Sequence, residues 1–267
     1  MNVKFHKYQG TGNDFVLLNN RYNTYSNLSR EQIERICDRH FGIGADGLML
    51  LESIQGHDFK MVYFNSDGRQ STMCGNGGRC IIQFAHDQKI IGDKTLFLAI
   101  DGPHHGKINE NGSVSLQMID VNGYEKDSDN FILQTGSPHY VIFSDETRTL
   151  NIVEEARKVR YNQRFKEFGI NVNFVQPISE NEIYVRTYER GVEDETLSCG
   201  TGVVASALAF ALQQNVGFEN LSHQSGSISV QTKGGKLQVD YVRNGDQFTN
   251  VWLNGSAVKV FEGSVEV

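Results

Sequence analysis

Short apolar or alternating segments, bounded by Gly, Asn and Asp, recur along the whole chain. Segments with this pattern are typical of β-strands. Seven strands are predicted in this way, at residues 14–18, 59–64, 113–118, 140–143, 182–188, 236–242 and 248–253. Chain reversals must rely on glycine, because the chain has 27 Gly and only 3 Pro residues. The pattern favours a sheet-rich protein that mixes α and β structure.

Four segments have helical periodicity, at residues 29–39, 76–89, 151–160 and 201–214, and Ser29 is a candidate N-cap of the first. The last segment, TGVVASALAFALQQ, is apolar on nearly every side over its first ten residues. A helix of this kind has to be enclosed by other elements. We therefore expect a central helix wrapped by strands.

A weak internal repeat divides the chain. Residues 63–85 and 184–212 share one order of features: a strand, a turn that contains Gly and Arg, a cysteine followed by Gly-x-Gly, and an apolar helix. Between the two copies, the polar segment 119–131 resembles an interdomain linker. A repeat of such long period predicts two pseudo-symmetric halves, 1–118 and 119–254, each of which presents one cysteine.

Length, composition and charge narrow the class of protein. A chain of 267 residues that is 39% hydrophobic can bury a sizeable core. Its net charge of −7 provides no basic surface for nucleic acid. Neither a signal peptide nor a membrane span of about 18 apolar residues is found. We expect a cytoplasmic protein that contacts neither nucleic acid nor membrane.

Four cysteines are too few and too scattered for a disulfide framework in a chain of this length. No CxxC or HExxH motif occurs and the eight histidines are dispersed, so no metal site is expected. Cys37 and Cys80 fall within helical patterns and suit small buried hydrophobes. Cys74 and Cys199 differ, because both precede a glycine in the same local setting.

That setting is the junction between a strand and the start of a helix. Unsatisfied backbone N–H groups and the positive end of the helix dipole converge there. A helix start can lower the pKa of a thiol from ~8.5 to as little as ~3.5 in extreme cases. The same N–H groups can bind a carboxylate, and glycine lets the backbone approach it closely. Each motif therefore offers both a base and an anion site.

Two such cysteines, one on each half, favour a two-base inversion. One thiolate, of Cys74 or Cys199, removes an α-proton from one face of the substrate, and the opposite thiol delivers a proton to the other face. The α-hydrogen of an amino acid is weakly acidic, so the site must stabilise the carbanion by placing charge and excluding water. Closure of the two halves would expel that water.

Four segments in this order resemble diaminopimelate epimerase: GTGNDF at 10–15, NSDGRQSTMCGNGGRC at 65–80, GSPH at 136–139 and ERGVEDETLSCGTG at 189–202. The resemblance implies an α+β fold of two similar halves, each a β-barrel-like sheet wrapped around a central helix. It also implies that a C-terminal strand at 255–267 completes the first half. The implied reaction interconverts LL- and meso-2,6-diaminopimelate, in lysine and peptidoglycan precursor biosynthesis, without pyridoxal phosphate or any other cofactor.

The resemblance also implies roles for individual residues. Cys74 and Cys199 match the acid/base thiols, and His139 with Glu189 matches a pair that orients the substrate and tunes the thiols. The substrate-binding positions are Asn13, Asn65, Gly75, Asn76, Ser137, Asn173, Glu189, Arg190, Gly200 and Thr201. Arg190 offers a fork for the distal carboxylate of a diacid. Taken singly, Asn13 also suits a turn, Glu189 with Arg190 an exposed ion pair, and His139 a structural role.

Two positions depart from the pattern of the family. Gly47 stands in GADG, where many members have Gln, and Ser137 stands in GSPH, where Asn is usual. Both changes concern substrate contacts and leave the cysteines in place. A related two-cysteine racemase for proline, hydroxyproline or histidine therefore remains an alternative to the diaminopimelate enzyme.

Alternatives from other classes are a thiol redox protein, in which Cys74 and Cys199 form a disulfide, and a non-catalytic amino-acid binding protein. For every hypothesis that has a ligand site, the expected ligand is a small-molecule amino acid. The resemblance also favours a homodimer, in which Phe261, near the C-terminal strand, is a candidate contact residue.

Overall fold

The computed structural model describes residues 1–214 and 224–267, which form seventeen strands and four helices. The first nine elements are β1 (Asn2–Gly10), β2 (Asn13–Asn19), α1 (Arg30–Cys37), β3 (Gly47–Glu52), β4 (Lys60–Asn65), α2 (Gly75–Asp87), β5 (Lys94–Ala99), β6 (Gly102–Ile108) and β7 (Val114–Gln117). The next six are β8 (Glu125–Asp127), β9 (Asn130–Gln134), β10 (Pro138–Phe143), α3 (Ile152–Arg160), β11 (Asn171–Ser179) and β12 (Glu182–Glu189). The last six are β13 (Asp194–Thr196), α4 (Gly200–Gln214), β14 (Gln224–Thr232), β15 (Gly235–Asn244), β16 (Gln247–Gly255) and β17 (Val258–Glu266).

The chain forms two compact units. The first consists of Met1–Leu116 together with Gly255–Val267, and the second of Gln117–Asn254. Each unit combines a mixed sheet with one enclosed helix, which confirms the predicted α+β class. No helix within residues 1–214 or 224–267 is long and apolar enough to cross a membrane.

In the first unit, strands pair in the order β17, β1, β2, β3, β4, β5, β6 and β7. Helix α2 contacts β1, β2, β3, β6 and β17, so the sheet surrounds it. The sheet also has an outer layer, where Val16 and Leu18 of β2 pack in one cluster with Ile33 and Ile36 of α1. Strands β2 and β3 are therefore buried on both faces, and their sequences read as continuous apolar runs.

Helix α1 begins as the sequence predicts. Ser29 is its N-cap, its hydroxyl accepts from the N–H of Gln32, and the Gln32 side chain accepts from the N–H of Ser29. This reciprocal capping box satisfies two backbone donors that lack partners within the helix. Asp38 ends the helix one residue short of the predicted boundary.

In the second unit, β8 to β12 pair in chain order, and β12 also pairs with β13 and, in parallel, with β14. Helix α4 contacts β9, β10, β11, β12, β14 and β15. Its residues 202–212 are all buried, which confirms the enclosed helix expected from its apolar sequence. Helix α3 lies against β11, β12 and β13.

All seven predicted strand segments overlap strands of the structure. The polar segment 119–131 is not only a linker, because it contains β8 and the first residues of β9 within the second unit. Its acidic residues are compatible with a strand because β8 is exposed along its whole length. The polar composition therefore predicted a linker at a place where the chain forms a surface hairpin of β8 and β9.

Candidate active site

Cys74 is the N-cap of α2. Its backbone is extended (φ −107°, ψ 130°), and its carbonyl oxygen accepts the first helical hydrogen bond from Gly78 N at 2.7 Å. Gly75 and Asn76 follow as the first two residues of the helix, and both are buried. At this position the first N–H groups of a helix have no acceptor within the helix. The Cys74 thiol is half-buried beside these groups.

Asn13 connects the cysteine with the helix start. Its Oδ1 atom lies 3.6 Å from Cys74 Sγ and accepts from Asn76 Nδ2 at 3.4 Å. Its Nδ2 group donates to the carboxylate of Asp46. Asp46 is in turn held by Arg39, whose Nη2 donates at 2.7 Å. We call Cys74, Asn13 and Asn76 the first half-site, and Cys199 with Thr201 the second. In the first, Asp46 fixes the orientation of the Asn13 amide, a role that the sequence did not predict.

Two donors fix the orientation of the Asn76 side chain. Its Oδ1 atom accepts from Arg79 Nη2 at 2.9 Å and from Thr11 Oγ1 at 3.2 Å. Thr11 stands in a left-handed conformation (φ 50°) at the turn between β1 and β2. Because both donors engage the oxygen of Asn76, its Nδ2 group is left to face Asn13.

Cys199 has the corresponding position at the start of α4. Its carbonyl oxygen accepts from Val203 N at 2.8 Å, and its Sγ lies 3.5 Å from Thr201 Oγ1. The same Thr201 hydroxyl lies 2.9 Å from His139 Nε2 and 3.1 Å from Ser137 Oγ. Thr201 therefore stands two residues after its cysteine, as Asn76 does after Cys74, and contacts the sulfur directly.

The protonation state of His139 follows from its neighbours. Asn173 Oδ1 accepts from Thr187 Oγ1 at 2.9 Å, so the Asn173 Nδ2 group faces His139 Nδ1 at 3.0 Å and donates to it. The ring hydrogen must then be on Nε2, which faces Thr201. Complete burial lowers the pKa of His139 to about 3, so the ring is neutral. A Thr201 hydroxyl that accepts from Nε2 keeps its own hydrogen, and both the Cys199 sulfur and Ser137 Oγ are within reach of it.

We expect this neutral histidine to make stability depend on pH. In the unfolded chain the imidazole takes up a proton below about pH 6.5, whereas in the folded protein it stays neutral down to about pH 3. Lowering the pH from 7 to 5.5 should therefore cost the wild type about 1 kcal/mol through this group. Urea unfolding of the wild type and His139→Gln at both pH values measures it. The stability difference between the two proteins should change by that amount, and an unchanged difference would contradict the assignment.

Three further predicted positions lie close to this network. Ser137 Oγ accepts from Asn171 Nδ2 at 3.1 Å, and Asn171 Oδ1 accepts from Arg190 N at 2.9 Å. Arg190 is exposed, and one of its Nη atoms donates to Phe168 O at 2.9 Å. Glu189 is the half-buried last residue of β12. The structure therefore joins Ser137 and Arg190 through Asn171, which the sequence analysis did not identify.

Asn65 and Gly47 pair directly across β3 and β4. Asn65 is exposed at the end of its strand. A Cβ atom at Gly47 would lie 2.5 Å from Phe64 O and 2.5 Å from Tyr63 Cε2. The departure from the family pattern at Gly47 is therefore structural, because a backbone carbonyl and an aromatic ring occupy the place where a glutamine side chain would begin.

The two other cysteines are deeply buried, Cys37 at 2% and Cys80 at 0% exposure. Burial raises the pKa of each thiol to about 12, so both remain protonated. No disulfide joins any of the four cysteines, all of which lie in the described residues. In the same residues, no group of three or more His, Cys, Asp or Glu side chains is arranged to hold a metal ion.

Known sequences match this chain over nearly its whole length. A family model described as diaminopimelate epimerase matches residues 5–121 and 131–260. A protein of Flavobacterium psychrophilum named diaminopimelate epimerase is 49% identical over 263 residues, which cover 98% of this chain and 100% of that protein. A protein of Aquifex aeolicus with the same name is 37% identical and is covered over 97% of its length.

Solved structures share the fold at low sequence identity. A phenazine biosynthesis protein of the PhzF family from Bacillus anthracis matches with a TM-score of 0.68 at 15% identity, over 100% of both chains. A hydroxyproline epimerase from Agrobacterium vitis matches with a TM-score of 0.65 at 13% identity, over 99% of this chain and 92% of that one. The fold extends well beyond the sequence family, but the match to the family model covers nearly the whole sequence, and on that ground the chain belongs to the diaminopimelate epimerase family.

Proposed function

We propose that this protein interconverts LL- and meso-2,6-diaminopimelate by inverting one α-carbon, and that it supplies lysine and peptidoglycan precursors. Cys74 and Cys199 are the two acid/base groups: one thiolate removes the α-proton while the other thiol delivers a proton. No electron transfer and no pyridoxal phosphate are required. The identity of 49% to a diaminopimelate epimerase over nearly the full chain supports the substrate.

The observation that carries the proposal is the arrangement that both units repeat. Each cysteine directly precedes a helix that begins with Gly-x-Gly, and the residue two positions after it, Asn76 or Thr201, is held by a buried nitrogen donor. N–H groups at a helix start stabilise negative charge on a thiolate and on a bound carboxylate. Such donors also stabilise the charge that develops when an α-proton leaves.

The remaining roles follow the same proposal. Gly75 and Gly200 let the backbone approach the reacting carboxylate, while Asn13, Asn65, Asn76, Asn173, Ser137 and Thr201 supply polar contacts around it. Arg190 is exposed and can offer its planar fork to the distal carboxylate. Glu189, one residue earlier, suits the distal amine. His139 acts by orienting Thr201, since it is fully buried.

Hydrogen exchange in D₂O tests the proposal. The protein is incubated with LL-diaminopimelate, meso-diaminopimelate, proline, hydroxyproline and histidine, and deuterium at the α-carbon is followed by mass spectrometry. Uptake into both diaminopimelate isomers, with little into the others, is expected. Uptake into proline, hydroxyproline or histidine alone would overturn the substrate. Turnover that consumes thiol and requires an electron acceptor would instead indicate a redox protein.

The proposed chemistry also favours one cellular compartment, the cytoplasm. Both groups act as thiols, and a disulfide between them would remove the base and the acid together. Thiols persist in the reducing cytoplasm, so we place the enzyme there. Activity should accordingly be kept by reductant in the assay buffer.

A homodimer belongs to the same proposal, with β17 as the contact surface. Val258, Val260 and Phe261 on this strand are each about half exposed, at 47%, 55% and 47%. Exposed apolar side chains grouped on one strand favour contact with a second copy. Sedimentation of Phe261→Asp should show a shift towards monomer, whereas Phe168→Asp, at another exposed phenylalanine, should leave the wild-type state unchanged. Equal sedimentation of all three proteins would rule this surface out.

A further inference from the structure

A fully buried arginine lies behind the first half-site. Arg79, in the second turn of α2, has no exposed surface. Gly10 allows β1 to pass directly over it, since a Cβ atom there would lie 3.4 Å from Arg79 Nη2 and 3.1 Å from Asn76 O. Burying a guanidinium removes it from water at a cost of several kcal/mol unless other groups compensate.

The hydrogen bonds of Arg79 do not supply a counter-charge. Nη1 donates to Gly75 O at 3.2 Å, and Nη2 donates to Asn76 Oδ1 and to Thr11 Oγ1, all of which are neutral acceptors. Nε has no partner among the described residues. No carboxylate within the described part of the chain forms an ion pair with Arg79.

Among the described residues, Cys80 and Cys74 are the ionisable groups that act electrostatically on this guanidinium. Burial raises the pKa of Cys80 to about 12, so that thiol is neutral. Asp14, on the neighbouring β2, is held in ion pairs by Lys7 and Arg39. Cys74 is therefore the group whose ionisation can balance the charge of Arg79.

We infer that Arg79 is a positioning residue for the first half-site, whose buried charge stabilises the thiolate of Cys74 while its Nη2 group orients Asn76. The effect of Arg79 on catalysis rests on the proposed function, whereas its effect on the Cys74 thiolate does not. Among the described residues, the hydrogen bonds of Arg79 go to Gly75, Asn76 and Thr11 and not to the sulfur. It acts through the start of α2, where it donates to Gly75 O and to Asn76 Oδ1.

In the second half-site the corresponding buried donor is uncharged, and Arg190, the cation that acts on it, is exposed. The buried nitrogen that supports Thr201 belongs to the neutral His139, and the Thr201 hydroxyl lies 3.5 Å from Cys199 Sγ. One contact in the first half-site opposes ionisation of Cys74, because the acceptor Asn13 Oδ1 lies 3.6 Å from Cys74 Sγ. The contact with Asn13 favours the protonated form of Cys74, whereas an opposite charge in a buried site favours the thiolate. We expect the full charge of Arg79 to outweigh this single long contact.

The pH dependence of alkylation tests the inference. The protein is treated with iodoacetamide over a range of pH, and modification of the Cys74 and Cys199 peptides is followed by mass spectrometry. In Arg79→Met, the midpoint for Cys74 should move upward by about one pH unit or more. Arg79→Lys keeps the charge and should recover most of that shift, while the midpoint for Cys199 should stay unchanged in both variants. An unmoved Cys74 midpoint in Arg79→Met would overturn the inference, whatever the epimerase activity.

A second measurement does not depend on any substitution at Arg79. If the thiolate is stabilised by folding, the stability of the wild type relative to Cys74→Ala rises as the pH increases from below the folded thiol's midpoint towards about 8.5. Cys37→Ala is the matched control, and its difference from the wild type should not rise over this range, because burial keeps Cys37 protonated. A flat difference for Cys74→Ala would contradict the inference. Loss of epimerase activity alone bears only on the proposed function.

Discussion

Replacing Cys74 or Cys199 by serine is expected to lower kcat for diaminopimelate epimerisation by about 10²- to 10⁴-fold. A serine hydroxyl has nearly the same size and can still accept from neighbouring donors, but it does not ionise near neutral pH. Under the two-base proposal, each variant therefore lacks one of the two proton-transfer groups, and inversion would need both. Racemisation is measured by circular dichroism, and α-deuterium uptake by mass spectrometry.

Cys37→Ala provides the control for these variants. Cys37 packs with Ile33 and Ile36 between α1 and the first sheet, so its loss should lower the free energy of unfolding while kcat stays close to that of the wild type. A Cys74→Ser or Cys199→Ser protein with more than about a tenth of wild-type activity would exclude the two-base proposal. Proton transfer by groups other than these thiols would then gain support, whereas the binding-protein alternative requires a wild type without activity.

Gly202→Ala is expected to have the second largest effect. A Cβ atom at this position would lie 2.4 Å from Asn173 Oδ1 and 3.2 Å from His139 Cε1, both of which are completely buried. The added methyl group must displace the amide that orients His139, and with it the ring that faces Thr201. Overpacking of this kind costs about 1–3 kcal/mol of stability. We also expect kcat to fall at least ten-fold, because Thr201 would lose its orientation towards Cys199.

The equivalent substitution in the first unit is the matched control. Gly77 stands three residues after Cys74, as Gly202 does after Cys199. A Cβ atom at Gly77 would lie 2.2 Å from Met49 Cε, the flexible end of a long side chain that can rotate away. Gly77→Ala should therefore cost less stability and less activity than Gly202→Ala. Chemical denaturation and steady-state kinetics compare the pair, and an equal or reversed order would contradict this account of the His139 network.

The strands that alternate or end at turns could be predicted from the sequence, whereas others could not. Strand β3 (GLMLLE) is apolar up to its last residue because α1 and α2 cover both of its faces, and a short apolar run of this kind suits a buried helix as well as a strand. Strand β17 lies at the opposite extreme. It is exposed along nearly its whole length, and only the family resemblance indicated it.

The same distinction holds for the candidate site. Cys74 and Cys199 could be singled out because the local sequence around each is repeated. Asp46 and Asn171 could not, because they act by hydrogen bonds to Asn13 and Ser137 across strands that are distant in sequence. Arg79 stood in the quoted motif, but only its complete burial reveals a charge without a carboxylate partner.

Strand β17 has a consequence for how the protein forms during translation. It pairs with β1 from Asn2↔Glu266 to Gln9↔Val258, so the first sheet needs a segment that follows the entire second unit. Until that segment has left the ribosome, β1 has an unpaired edge, which invites association with other chains. The second unit is contiguous in sequence and can fold earlier. A nascent chain of this family would thus complete the half that contains Cys199 before the half that contains Cys74.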